Sequence, residues 1–116
     1  MENFIENEKP VTAEVRALVH ETVDRFLDYN PTVTQQEDTG SKPTFFLYFS
    51  GHTAALYVNI YANGWDQGGK SEDFDIYLSE SDYSGTATEI QGELASVLRR
   101  MEEVYGVWYE KEHGNE

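Results

Sequence analysis

The chain contains no cysteine, which excludes a disulfide frame, a thiol nucleophile and a thiolate metal site. Bases are scarce too. Eight Lys and Arg stand against 22 Asp and Glu, a formal charge of -14 on 116 residues. A polyanion or an anionic membrane surface would be repelled by such a body, so neither direct nucleic-acid binding nor membrane binding is expected. No apolar run approaches the roughly 18 residues that a bilayer crossing needs. The opening segment MENFIENEKP is acidic and has no apolar stretch, so it does not read as a secretory signal. A cytoplasmic location is the resulting expectation. The three prolines stand at 10, 31 and 43, where they punctuate the pattern without interrupting it.

The aromatic residues, at 14%, are too many for a disordered acidic tail, and the length suffices for one folded core. The acids are unevenly spread. Residues 1–38 hold nine acids against three bases, and 66–93 hold eight against one, whereas 39–65 hold none and carry only Lys42. The acid-free stretch is the one that reads as buried sheet.

Between Thr12, a candidate cap, and the Asn30-Pro31 stop, Val15, Leu18, Val19, Val23 and Phe26 recur at helical spacing. A polar loop over 31–43 leads into TFFLYFS and TAALYVNIYA, joined at Gly51-His52. A two-residue Gly-X turn there predicts a type II′ hairpin that sets Phe49 opposite Ala54, Leu47 opposite Leu56 and Phe45 opposite Val58. EDFDIYLS alternates, with Phe74, Ile76 and Leu78 inward, and reads as a third strand with one solvated face. A capping box of Thr88 and Gln91 opens a last helix whose stripe is Ile90, Leu94, Val97, Met101 and Val104. Gly106 reads as its end, and 1–10 and 110–116 as ragged tails. The prediction is a single α+β domain spanning 1–116, in the order α-β-β-β-α. Its three-stranded antiparallel meander carries two helices on one face.

That order of elements resembles the double-stranded-RNA-binding domain in topology alone. The resemblance implies RNA contacts by lysines near the start of the last helix, where this chain has Glu89 and Glu93. RNA binding is rejected on charge.

Chemical motifs fail one after another. Residues 64–71, GWDQGGKS, satisfy the phosphate-loop pattern G-x-x-x-x-G-K-[ST]. Such a loop must open a helix whose N-terminal amides hold the anion, yet a period-two segment bearing Glu72, Asp73 and Asp75 follows. The EF-hand spacing is absent. His20, His52 and His113 share no ligand or catalytic spacing with one another. No cofactor and no metal are expected.

What remains is a surface. On the sheet's outward side lie Tyr48, Tyr57 and Tyr61, with Asp73, Asp75 and Tyr77 on the third strand. Glu72, Glu80, Asp66 and Asp82 flank them. Tyrosine brings large contact area with a polar tip and is enriched in interfaces. Carboxylates two residues apart on a strand stand about 6.6 Å apart, near twice the 3.4 Å rise per phosphate of a DNA strand. These ten residues are the candidate partner-binding set. The expected role is that of a non-enzymatic inhibitor of a basic, nucleic-acid-handling protein, of the anti-restriction or anti-CRISPR kind found in phages. Competing readings are an immunity protein against a basic toxin and an acidic housekeeping protein of a halophile. A small hydrolase joining Asp66, Trp65, Asp73 or His52 is the enzymatic alternative. The final helix is a candidate homodimer surface.

Overall fold

The structure is a computed structural model that describes residues 9–29, 42–51, 53–64, 70–81 and 84–113. Helix α1 runs Ala13–Tyr29, strands β1, β2 and β3 run Thr44–Ser50, Ala55–Tyr61 and Glu72–Tyr77, and helix α2 runs Ala87–His113. The strands form one antiparallel sheet in the order β1-β2-β3. This is the α-β-β-β-α meander that the periodicities predict. Both helices lie over one sheet face. Val15 and Tyr29 of α1 and Ile90, Leu94, Val97, Met101 and Val104 of α2 pack in one core with Phe45, Leu56, Val58, Ile60 and Ile76 of the sheet.

Thr12 caps α1: its Oγ1 accepts the Val15 N–H at 3.2 Å, as the cap role requires. The buried line along this helix differs from the predicted stripe. Thr22 is fully buried, whereas Val23 is 39% exposed. Successive residues are about 100° apart on a helix, so the line through Val15, Thr22 and Tyr29 leaves Val23 on the flank. Thr22 tolerates burial because its hydroxyl donates to the Leu18 carbonyl at 2.8 Å. Tyr29 closes the line, stacked on Tyr105 at 4.4 Å and tilted against Phe45 at 5.7 Å. Burial raises the pKa of its hydroxyl, with Arg25 opposing.

The hairpin register also departs from expectation. Phe45 pairs with Ile60, Leu47 with Val58 and Phe49 with Leu56, two residues away from the predicted partners. Residues 51–54 form the connection, not Gly51-His52 alone. Gly51 does not adopt a positive φ; Ala54 does, at 51°. The strain of a non-glycine residue there, about 1–2 kcal/mol, is countered by the Ala54 carbonyl accepting the Leu78 N–H at 2.9 Å. A shift of two keeps every side chain on its predicted face. His52 lies outside the described residues.

The α2 cap is Thr86 with Glu89, two residues before the predicted Thr88 and Gln91. Glu89 Oε1 accepts the Thr86 N–H at 2.8 Å, and Thr86 Oγ1 accepts the Glu89 N–H at 3.2 Å. Gly85, at φ 90°, permits this approach. A Cβ there would meet the Glu89 carboxylate.

At its other end α2 runs through Gly106 to His113, so 110–113 are helical and not a ragged tail. Gly106 has no left-handed φ to end the helix. Instead Tyr105, Trp108, Tyr109 and His113 touch at three- and four-residue spacing. Glycine inside a helix costs roughly 0.5–1 kcal/mol against alanine, and nothing lies within 4 Å of a Cβ at Gly106. Gly106→Ala is therefore expected to raise stability by that amount in denaturant unfolding. A loss would mean that the helix ends there.

Candidate functional site

The sheet face opposite the helices is set by strand parity. Laid out by register, it is a grid. Phe46, Asn59 and Asp73 form one row, Tyr48, Tyr57 and Asp75 the next, and Ser50, Ala55 and Tyr77 the third. Tyr61, opposite Thr44, extends the aromatic side. Neighbouring strands stand about 4.8 Å apart, so ring and carboxylate faces adjoin across the rows. The grid grades from aromatic on β1 to acidic on β3, and no Lys or Arg occurs in any of the three strands.

The face is open where it matters. Tyr48 is 64% and Phe46 41% exposed, while Asp73 and Asp75 are exposed and Tyr57, Tyr61 and Tyr77 half-buried. Lateral ring contacts hold the aromatics in place: Tyr48 to Tyr57 at 5.6 Å, and Phe46 edge-on to Tyr61 at 5.8 Å. Asp73 Oδ1 accepts from Ser71 Oγ at 2.6 Å and from Asn59 Nδ2 at 2.7 Å. These two donors, the Ser71 hydroxyl foremost, hold its carboxyl below the usual range and fix it as an anion. Asp75 and Glu93 of α2 line one groove at the β3 edge, with Phe74, Ile76 and Ser96. Negative charge therefore gathers at that edge.

Other members of the predicted set are placed elsewhere. Glu72 does not share the open face. It pairs with Ile60 on the helix side, where Arg100 of α2 grips it with two bonds, Nε to Oε1 at 2.7 Å and Nη2 to Oε2 at 2.6 Å. Glu103 completes the cluster at 3.3 Å from Arg100. Glu80 accepts the Ala87 N–H at 2.7 Å and so serves the start of α2. Asp66 and Asp82 lie outside the described residues, as does Trp65. The segment after Ser71 is β3 and not a helix, so the phosphate-loop pattern lacks the helix start its chemistry needs. Among the described residues no group of three His, Asp or Glu could hold a metal ion.

Arg100 is the contact that sequence reading missed. It sits 28 residues from Glu72, and only the packing of α2 on β3 brings them together. Its hydrogen bond holds the Glu72 carboxyl below its ordinary 4.5. A carboxylate whose folded-state pKa is depressed lends stability above its unfolded pKa and loses it as pH falls through the folded one. Both side chains are about two-fifths exposed, so screening limits the pair to about 1 kcal/mol. Glu72→Gln is expected to lose that amount at neutral pH and to flatten the decline of stability below pH 4.5. Chemical denaturation at stepped pH reads both effects.

A groove of about 170 Å³ lies between Ala62-Asn63 and the last turns of α2, walled by Val104, Val107 and Trp108 with Arg100, Glu103 and Lys111 at its rim. The Lys42 ammonium stands 5.8 Å from the Trp108 ring centroid. Arg100 is already committed to Glu72 and Glu103. No described helix is long and apolar enough to cross a membrane. No protein-family model, no curated protein and no solved structure matches the chain.

Proposed function

We propose that this protein is a non-enzymatic binding protein that docks its open sheet face and acidic β3 edge on a basic protein, and so blocks it. The observation that carries the reading is the composition of that face. Exposed Tyr48 and Phe46 on β1 share that face with Asp73 and Asp75 on β3, Tyr57 and Asn59 of β2 lying between them, with no base in the three strands. Aromatic anchors next to carboxylates suit a protein surface rich in Arg and Lys, to which a ring offers its face and a carboxylate its charge. A positively lined cleft that ordinarily holds nucleic acid has this chemistry. Opposite potentials would speed encounter and make affinity fall with salt.

The test is capture from native lysate with the tagged protein, at low salt, at high salt, and with excess duplex DNA. The expected result is a basic nucleic-acid-binding protein, identified by mass spectrometry, that is released by salt and displaced by DNA. Capture indifferent to both, or of no basic protein, would overturn the reading.

A further inference from the structure

A sheet has two edges, and this one treats them differently. β3 carries Glu72, Asp73 and Asp75 in six residues, and charge at an edge is a standard means of preventing pairing with another chain. β1, TFFLYFS, carries no charge and no proline in seven residues. Among the described residues nothing pairs with its outer edge. Both of its faces are accessible toward the hairpin end, with Phe49 56% exposed on the helix side and Tyr48 on the other. β1 also lies in the stretch 39–65 that holds no acid. Two bodies of charge -14 repel across most of their surfaces. The β1 edge is where main chains can meet without bringing carboxylates together.

We infer that two copies of this chain pair through β1, antiparallel about a two-fold axis at Leu47, into a six-stranded sheet. The register follows from symmetry. A two-fold normal to the sheet places a residue opposite its own copy, and Leu47 is the middle of Thr44–Ser50. Phe45 then faces Phe49 of the second copy on the helix side, and Phe46 faces Tyr48 on the other. Every side chain stays on its own face, so the two cores and the two open faces each become continuous. The acidic β3 strands fall at the far edges, about 24 Å apart by strand spacing, the greatest separation a six-stranded sheet allows.

The inference stands apart from the docking reading, and salt separates them. Docking on a basic partner weakens as salt rises, whereas pairing of two anionic copies tightens as their repulsion is screened. In sedimentation equilibrium the dimer dissociation constant is expected to fall about tenfold between about 0.05 and 0.5 M salt. Cysteine placement tests the register in a chain that has none of its own. Directly opposed Cα atoms are about 4.5–5.5 Å apart, within disulfide reach. Leu47→Cys is expected to cross-link with itself. Phe46→Cys and Tyr48→Cys are expected to cross-link when mixed but not when each is alone. Phe49→Cys alone, about 13 Å from its copy in this register, is expected to form no cross-link. A mass of one chain across the salt range would overturn the inference. So would efficient cross-linking of Val107→Cys, on exposed α2, without the β1 pattern.

Discussion

Replacing Tyr48 by alanine and Asp75 by lysine in one chain is expected to weaken binding of the basic partner at least about 100-fold. An anchoring aromatic is worth about 2 kcal/mol or more when truncated. Reversing a carboxylate that faces a cation adds repulsion to a lost attraction. Each 1.4 kcal/mol is about tenfold in affinity. The two residues stand in one row, on either side of Tyr57, so one substitution empties the aromatic side of the row and the other reverses its acidic side. Both side chains are exposed, and the melting temperature should scarcely move. Asp28→Lys supplies the control. It makes the same charge change on exposed α1, away from the open face, and is expected to alter affinity less than about threefold by long-range field alone. Titration calorimetry or surface-based binding against the captured partner reads the comparison. Equal losses from Asp75→Lys and Asp28→Lys would mean that net charge, and not this face, governs binding.

The second large effect is on stability. Leu94→Ala is expected to cost about 2–5 kcal/mol, the range for deleting a buried leucine side chain and leaving a cavity. Leu94 is fully buried at the middle of the α2 seam, in the same core as Val15 of α1 and the inward residues of the sheet. That core is shared by both helices and the sheet. A small domain holds only about 5–15 kcal/mol in total, and the melting temperature should fall by roughly 10 °C or more. Val23→Ala is the informative companion. Aliphatic periodicity alone places Val23 in the core and predicts a core-sized loss. With Val23 partly exposed and Thr22 buried in its place, the expected loss is under about 1 kcal/mol. Urea unfolding of the two variants side by side decides which line of α1 faces inward.

Much of the fold was legible in the residues. Alternation in EDFDIYLS put Ile76 and Leu78 inward and Asp73 and Asp75 outward, and the burial follows that parity. The α2 seam from Ile90 to Val104 is buried throughout, because a 3–4 repeat of large aliphatics leaves one way to turn the helix. The candidate face was legible for the same reason, since strand parity alone brings Tyr48, Tyr57 and Asp75 to one side. What misled was local chemistry that two sites could satisfy. Thr86 and Thr88 both precede a residue able to complete a capping box, and the choice fell to Thr86 because Gly85 clears space for the Glu89 carboxylate. Gly106 looks like a helix end to any reading of neighbours, yet aromatic contacts on both sides of it carry the helix onward.

By itself the sequence determined the order of the elements, the face of each strand and the net charge of -14. Period, parity and net charge are properties of the chain that no packing can reverse. The tertiary structure decided the hairpin register, since a slip of two residues leaves the hydrophobic pattern unchanged and only the loop geometry at Ala54 distinguishes the choices. It decided that Glu72 serves Arg100 and not the open face. It also left Tyr48 uncovered on the same face as the acids of β3. Contacts between residues far apart in the chain depend on how the helices settle on the sheet, and that is fixed by three-dimensional packing that no local pattern encodes.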